Sequence, residues 1–287
     1  MIMRYSHFAL LLLILYMYSC RKFGTENNID PSPPEKLVIT ITTKIPDSIT
    51  TNCCESGAEV TTNNVVGIER LGVCWSTNHN PTAALATKTK NKLISDSFVS
   101  IVYGLSPNTL YYLRAYVITY SDTSYGQEVS FRTPTEDLNL NLGQYNAGGI
   151  IFYLDSTMKH GLACAPFDAG VANWGCETTE VGATSPGIGD GALNTKMILS
   201  ACTEENISAK ICDSVVINFY DDWFMPSKDE LQLMYLNVHQ KGKGNFGSIY
   251  HSSTEYGSSA WALDFRQGIP YPLWKGGTVL VRPARSF

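Results

Sequence analysis

Four residues near the C-terminal end carry the side chains of nucleophilic catalysis. His251, Ser252 and Ser253 are consecutive, and Glu255 follows shortly after. A hydrolase needs a nucleophile within hydrogen-bond reach of a base, but neighbouring residues on a strand point to opposite faces. The serines also lack the Gly-x-Ser-x-Gly pattern of a nucleophile elbow. We therefore expect no enzyme activity here, and we expect His251 to be a satisfied core or surface residue of a strand rather than a ligand.

Acidic and glycine-rich residues could bind a metal or a phosphate, but their spacing argues against both. Asp221, Asp222, Asp229 and Glu230 lie close together, yet they do not match the spacing of a calcium-binding loop. The glycine-rich segment 187–191 does not follow a strand and open a helix as a phosphate-binding loop would. The sequence therefore predicts no metal and no cofactor.

The cysteines favour disulfides over zinc. The chain has eight cysteines, and none shows the paired C-x-x-C spacing of a zinc site. Apart from Cys20 their number is odd, so an oxidising compartment would leave at least one unpaired. We predict a disulfide between Cys202 and Cys212, because the intervening TEENISAKI can turn back on itself. Cys164 and Cys176 are the next pair to consider.

An aromatic-rich tract near the C-terminus has the residue types of a binding site. Aromatic faces with a few fixed polar groups suit sugar rings or protein hot spots. The candidates are Trp261, Arg266, Tyr271 and Trp274. Core packing is the alternative, and it is stronger for Trp261, which lies inside the alternating AWALDF. Trp274 follows Pro-Tyr-Pro and precedes Lys-Gly-Gly, a loop setting in which a large aromatic residue is less easily buried.

A strand-to-helix corner organises the half of the chain that holds these residues. Ser227 and Glu230 have the S-x-x-E spacing of a capping box, and Pro226 disfavours helix at Met225. Apolar residues then recur at helical spacing: Leu231, Met234, Tyr235 and Val238. This pattern predicts a helix that starts near residue 227 and packs on a core.

The preceding part of the chain, residues 36–134, predicts a β-sandwich. Short extended runs alternate with turn residues. The run Leu105–Ile118 contains L-x-P-x-T-x-Y followed by alternation, which is typical of a tyrosine corner. We expect one set of its side chains to face inward: Tyr111, Leu113, Ala115 and Val117. The set expected to face outward is Tyr112, Arg114 and Tyr116.

These motifs resemble a fibronectin type III domain. G-V-C-W-S-T at 72–77, N-P-T at 80–82 and L-x-P-N-T-x-Y-Y-x-R-A-Y at 105–116 occur in this order. Such a combination is similar to the version of the domain that recurs in bacterial surface lipoproteins. The resemblance implies an all-β fold over residues 36–134. Within it, Cys74 would be a small buried hydrophobic residue.

Residues 143–287 resemble the Lcl C-terminal family, a domain of unknown function named from the end of a bacterial collagen-like adhesin. Four motifs carry the resemblance: N-T-x-x-I at 194–198, D-W-x-x-P-S-K-D-E-L-x-x-M-Y at 222–235, Y-x-S-S-T-E-Y at 250–256 and V-R-P-x-R-x-F at 281–287. The family usually has Trp at the position of His251. It is similar to C-type-lectin-like and formylglycine-generating-enzyme folds, which implies an α+β domain.

The second resemblance also implies roles for particular residues. Loops before the terminal strand usually form the ligand face in C-type-lectin-like folds, and here they would hold the four aromatic-tract candidates. Arg282 and Arg285 would pair with acids of the fold. The calcium-lectin triplets E-P-N and W-N-D are absent, as is a recognisable catalytic cysteine pair. The resemblance therefore implies a non-catalytic binding domain.

The N-terminal segment predicts export and lipidation. Residues 1–19 combine Arg4 with an apolar run from Phe8 to Tyr18, which is typical of a signal peptide. The run ends at Ser19-Cys20, which resembles a bacterial lipobox; the alternative is an ordinary cleaved signal followed by a chance cysteine. Lipid on Cys20 would anchor the chain to a membrane. Residues 20–35 are polar and proline-rich and would form a tether.

Composition restricts the partners. The chain has 44% hydrophobic and 16% charged residues and a formal charge of −5, as in globular proteins. Without a lysine- or arginine-rich cluster, a nucleic-acid partner has no electrostatic support. We predict a lipid-anchored protein of the cell envelope, at the outer membrane, that binds an extracellular glycan or protein. The alternatives are a structural envelope spacer and, third, an enzyme of the formylglycine-generating type.

The lipobox resemblance gives a direct test. Metabolic labelling with a fatty-acid analogue should mark the wild-type protein and not Cys20→Ala, because Cys20 is the residue that would carry the acyl chains. Equal labelling of both proteins would contradict the lipid anchor.

Overall fold

The computed structural model describes residues 38–63, 67–91 and 96–287. The predicted signal peptide, the lipidation site Cys20 and the tether lie outside these residues. Within the described ranges, no helix has the length and apolar character needed to cross a membrane. The described residues are mostly β, with 40% strand and 13% helix.

The first half is a sandwich of two antiparallel sheets. Its strands are β1 Ile39–Thr43, β2 Cys53–Thr62, β3 Ile68–Ser76, β4 Ser97–Tyr103, β5 Leu110–Thr119, β6 Thr123–Tyr125 and β7 Val129–Arg132. One sheet has the order β1-β2-β4, and the other has the order β3-β5-β6 with β7 also paired to β5. Buried side chains from both sheets form one hydrophobic cluster, which confirms the predicted β-sandwich.

Strand β5 confirms the tyrosine corner and its inward-facing set. Tyr111, Leu113, Ala115 and Val117 are all buried. The Tyr111 hydroxyl accepts a hydrogen bond from the Ser106 amide at 3.0 Å, the contact that holds this corner in a sandwich. Cys74 is a free, fully buried cysteine, and burial raises its thiol pKa to about 11.

Tyr116 lies outside the hydrophobic cluster between the sheets, in agreement with its expected outward direction, but it is buried at 1% exposure and not open to solvent. Its hydroxyl donates to the Thr89 carbonyl at 2.6 Å. The segment that carries Thr89 runs along β3 and covers the Tyr116 side chain. Gly72, which pairs with Tyr116, makes this possible: a Cβ there would collide with the Thr89 carbonyl. A glycine inside a strand is a signal of such close backbone approach.

The second half is an α+β arrangement. Its strands are β8 Tyr145–Asn146, β9 Gly149–Leu154, β10 Gly161–Cys164, β11 Gly170–Ala172, β12 Ile249–Tyr256, β13 Ser259–Asp264, β14 Ile269–Trp274, β15 Val279–Val281 and β16 Ala284–Ser286. The helices are α1 Gly191–Ala201, α2 Ser208–Ser214 and α3 Lys228–Asn237, followed by a 3-10 turn at His239–Lys241. One sheet has the order β16-β10-β9-β8, and the other β11-β15-β12-β13-β14.

Helix α3 begins with the predicted capping box. The Ser227 amide donates to Glu230 Oε2 at 2.8 Å, and the Glu230 amide donates to Ser227 Oγ at 3.3 Å. Glu230 Oε1 also accepts from the Gly189 amide at 2.7 Å. Burial raises the Glu230 pKa, although the backbone hydrogen bonds lower it. Leu231, Met234 and Val238 pack into the core shared with β12 and β13, as predicted.

The two C-terminal arginines pair with acids of the fold, as expected. Arg282 contacts Asp168 at 2.8 Å and donates to backbone carbonyls of two loops. Arg285 binds both oxygens of Asp222, at 2.7 and 2.9 Å. Each guanidinium also stacks on an aromatic ring, at 4.0 and 3.9 Å from the ring centroid. These contacts fasten the end of the chain to loops of the second half.

Hydrogen bonds also hold the segment between the two halves. Asp137 accepts from the amide and hydroxyl of Thr51, at 2.6 and 2.9 Å, and from Asn146 Nδ2 at 3.1 Å. Asn52 Nδ2 donates to Asn146 Oδ1 at 2.7 Å. Residues 38–287 form one compact unit, so the polar stretch 133–142 is part of a hydrogen-bonded junction. Independent domains at 36–134 and 143–287 stay a prediction.

The disulfide predicted between Cys202 and Cys212 is wrong. Cys202 is bonded to Cys176, with their Cα atoms 5.7 Å apart. Cys202 ends α1 beside Gly175, whereas Cys212 is a free cysteine fully buried on α2. Cys164, considered as a partner of Cys176, is also free and buried, and burial raises its thiol pKa to about 12.

The observed pairing predicts a specific peptide map and a specific loss of stability. Without reduction, digestion should yield a peptide joining Cys176 to Cys202. Cys176→Ala should lower the free energy of unfolding by up to about 3.5 kcal/mol, since the bond closes a loop with a sequence separation of 26 residues. Cys212→Ala is the control and should leave the cross-linked peptide intact. Recovery of a peptide joining Cys202 to Cys212 would contradict the pairing.

His251 is a buried histidine without hydrogen bonds. It lies on β12 opposite Ala262 and is 3% exposed. Neither ring nitrogen has a hydrogen-bond partner among the described residues. Burial disfavours the charged imidazolium and lowers the pKa to about 4. His251 is thus a core residue of a strand, in agreement with the expectation, but its ring nitrogens are not satisfied by hydrogen bonds from the described part of the chain. Burial favours its neutral form.

This burial predicts an acid-sensitive fold. The unfolded chain protonates His251 near pH 6.5, whereas the folded chain does so near pH 4. Between these values the unfolded state binds more protons, so stability falls as the pH is lowered. The loss contributed by His251 should reach about 3 kcal/mol.

Chemical denaturation of wild type and His251→Leu at pH 7.0 and 4.5 measures this loss. The variant should lose less stability between the two pH values than the wild type. His160→Gln, which removes an exposed histidine, is the control and should behave as wild type. An equal loss in all three proteins would contradict the assignment to His251.

Candidate ligand-binding site

The aromatic tract forms a β-hairpin at the edge of the five-stranded sheet, not the loops expected for it. Strands β13 and β14 pair in continuous antiparallel register, from Ser259 opposite Trp274 to Asp264 opposite Ile269. The Pro-Tyr-Pro sequence reads as a loop because proline removes a donor from a sheet. Here β14 is the outermost strand, and an edge strand tolerates proline.

The register separates the four candidates into two groups. Residues directly opposite each other on paired strands lie on the same face of the sheet, and the faces alternate along each strand. Trp261 pairs with Pro272, which lies two positions from Trp274, so both tryptophans belong to one face. Tyr271 pairs with Ala262 and lies on the opposite face. The predicted set therefore does not form one site.

Arg266 does not join the tryptophans either. It lies between β13 and β14, where its guanidinium binds both carboxylate oxygens of Asp264, at 2.6 Å for Nη2–Oδ2 and 2.9 Å for Nε–Oδ1. This pairing lowers the Asp264 pKa. Arg266 is exposed, but its charge is already matched within the turn.

Tyr256 is the residue that the sequence reasoning missed. It ends β12 opposite Ser259, on the same face as Trp261, and the two rings form an edge contact at 5.4 Å between centroids. Tyr256 and Trp274 are each 57% exposed, while Trp261 is half-buried. We call Tyr256, Trp261 and Trp274 the aromatic face. Its position directly before Gly257, which has a positive φ in the turn between β12 and β13, was the signal that could have identified Tyr256 as a residue at a hairpin end.

Charged groups border the aromatic face. Lys228, the first residue of α3, places Nζ 5.7 Å from the centre of the Trp261 ring and 2.6 Å from Asp229 Oδ1. At that distance an ammonium group is attracted to an aromatic ring. The arrangement offers exposed ring surface with a cation and a carboxylate beside it, which is suited to stacking and hydrogen bonding.

A buried ion pair fixes the strand end that carries Trp274. The next residue, Lys275, contacts Glu255 Oε1 at 2.5 Å, and both side chains are almost fully buried. Lys275 also donates to the Thr179 carbonyl at 2.9 Å, and Glu255 Oε2 accepts from the Gly182 amide at 2.7 Å. The pair thus joins β12, the end of β14 and the loop 179–182.

The serines and histidine near Glu255 do not form a nucleophile–base arrangement. Ser252 Oγ donates to the Trp261 carbonyl at 2.8 Å, and Ser253 Oγ accepts from Asn194 Nδ2 at 3.3 Å. His251 contacts neither hydroxyl with a ring nitrogen, and Glu255 is held by Lys275. Ser252, Ser253 and Glu255 are therefore held by structural contacts, and the ring nitrogens of His251 make no hydrogen bond among the described residues.

Three of the four clustered acids are also engaged in the fold. Asp222 pairs with Arg285, Asp229 with Lys228, and Glu230 caps α3. In the described residues, the group whose ligand atoms come close enough for a metal is Cys176, Cys202 and Glu204. Its two sulfurs are joined in the disulfide, which removes the thiolates that a metal would need.

No family model and no curated protein matches the chain. Solved structures match about a third of it. The sensor domain of the anti-sigma factor RsgI4 from Pseudobacteroides cellulosolvens is 17% identical over 34% of this chain and 76% of that one, with a TM-score of 0.27. The fibronectin type III domain derived from human KIAA0970 protein is 10% identical over 35% and 77%, also with a TM-score of 0.27. Chicken CNTN1 FN1–FN3 domains are 13% identical over 33% and 30%, with a TM-score of 0.26. Matches at this level add nothing to the sandwich topology described above.

Proposed function

We propose that the protein is a non-catalytic binding module and that its ligand is an extracellular glycan. The observation that carries the proposal is the aromatic face, with Tyr256 and Trp274 each 57% exposed on one side of an edge hairpin. Large aromatic side chains usually bury most of their surface. Two half-exposed rings on one face of an ordered sheet are therefore available for a partner.

The surroundings of the rings favour a sugar over a protein. A protein hot spot is a desolvated pocket ringed by residues that exclude water. Here the rings are open to solvent and bordered by charged groups such as Lys228 and Asp229. A pyranose presents an apolar C–H face, which stacks on a ring, and a rim of hydroxyls, which need donors and acceptors. The aromatic face supplies both kinds of contact.

The sequence resemblances supply the setting of the proposal. A lipid on Cys20 and the tether 20–35 would hold the protein at the cell envelope, with the fibronectin type III-like sandwich as a spacer. The second half would be a domain of the Lcl C-terminal type with a C-type-lectin-like fold. In this arrangement the aromatic face lies on the part of the chain that is farther in sequence from the anchor. A purely structural spacer is the rival function, and it would bind no ligand.

A glycan array tests the proposal directly. The chain from residue 20 with Cys20→Ser would be used, so that both halves and their hydrogen-bonded junction are present without lipid. Binding to a defined glycan class is the expected result. Binding to no glycan, with binding to an extracellular protein instead, would replace the ligand class; binding to neither would favour the structural spacer.

We predict that the Trp274→Ala variant loses ligand binding but remains folded. Truncating an anchor residue costs about 2 kcal/mol, or about 30-fold in Kd. The thermal midpoint should stay close to that of the wild type, because the Trp274 side chain is largely exposed. Tyr120→Ala is the control: Tyr120 is 81% exposed on the sandwich and should not affect binding. Unfolding of the Trp274 variant, or unchanged affinity, would place the site elsewhere.

A further inference from the structure

A free carboxylate lies beside the most exposed tryptophan of the aromatic face. Glu177 Oε1 and the six-membered ring of Trp274 both lie within 3.0 Å of the point that a Cβ of Gly276 would occupy. The carboxylate oxygen and the nearest ring carbons are thus no more than twice that distance apart. Gly276 leaves the space open, since any side chain there would collide with both groups.

Glu177 has no hydrogen-bond or ion-pair partner for its carboxylate in the part of the chain that the structure describes. Two cations beside the aromatic face are already engaged: Lys275, which follows Trp274, with Glu255, and Lys228, near the Trp261 ring, with Asp229. Glu177 is therefore a negative charge without a matching positive charge, next to a ring whose face attracts cations.

The loop that carries Glu177 is held at both ends. The disulfide Cys176–Cys202 fixes the preceding residue, and the Cys176 amide donates to Glu204 at 2.9 Å. At the other end, the Val181 and Gly182 amides donate to Glu255. Glu177 is thus presented beside Trp274 by a fixed loop rather than by a free one, which reduces the ordering cost of binding.

We propose that Trp274 and Glu177 form a subsite for a protonated amino group, so that the glycan bound by the aromatic face is an amino glycan with free amines. The ring and the carboxylate together attract an ammonium group. The same carboxylate repels uronic acids and sulfated sugars. The inference rests on the proposed glycan-binding function and narrows its ligand class.

Two oligosaccharides that share a sugar backbone, one with free amines and one with acetylated amines, provide the test. Glucosamine oligomers and N-acetylglucosamine oligomers of equal length share the sugar backbone, but only the first carries free amines. At pH 6 and physiological salt, calorimetry should give about tenfold tighter binding of the glucosamine oligomer. Glu177→Gln should bring the ratio of the two affinities close to one, mainly by weakening the glucosamine complex.

Glu59→Gln is the matched control, because it removes an equal charge from an exposed position on the sandwich and should preserve the preference. Equal affinity for the two oligomers, preference for the acetylated one, or an unchanged preference in Glu177→Gln would overturn the ammonium subsite. Failure to bind either oligomer would also overturn it. The glycan array decides the proposed function separately, since binding to a neutral or acidic glycan there would uphold glycan binding without this subsite.

Discussion

The second half depends on the buried ion pair between Glu255 and Lys275. Both charges are removed from water, which costs several kcal/mol per ion unless each is well paired. Here each is paired and also hydrogen-bonded: Glu255 accepts from backbone amides of the loop 181–182, and Lys275 donates to the Thr179 carbonyl. Removing one partner would leave an uncompensated buried charge, and three segments of the chain would lose their common contact.

Charged side chains also hold other irregular segments of the second half. Glu230 holds residue 189 to the start of α3, Arg282 holds Asp168 and two loop carbonyls, and Arg285 holds Asp222. Long irregular segments have few ladder hydrogen bonds of their own, so their backbone groups need other partners when buried. Charged side chains that reach across the fold supply these partners. Such side chains are structural, although their residue types also suit a catalytic site.

Local signals in the sequence were sufficient for part of this structure. The capping box at Ser227 and the alternation of β5 depend on contacts within a few residues, and both appear as predicted. The burial of Tyr116 depends on the distant segment that carries Thr89. The disulfide of Cys202 depends on the distant residue Cys176. Spacing along the chain contains no information about which distant segment arrives there. Gly72 indicated that another backbone approaches β3 near Tyr116. No local pattern indicated that Cys202 bonds to Cys176 and not to Cys212.

The candidate site could be predicted only in part, because residue types can be read from the sequence but long-range strand pairing cannot. Trp261 and Trp274 were identified from their type, but which candidates share a face follows from the β13–β14 register, and the proline residues of β14 concealed that strand. Tyr256 and Glu177 join the site only through pairing and through a loop fixed by a disulfide.

The pre-organisation of the site explains how exposed rings could be selective. Side chains on free loops lose conformational entropy when they bind, which lowers affinity. Trp274 precedes a residue locked in an ion pair, and Glu177 follows a cysteine locked in a disulfide. The two groups that would contact a ligand are therefore held by a buried charge pair and a covalent bond. Their backbone is already ordered in the folded protein, so ligand binding costs less conformational entropy.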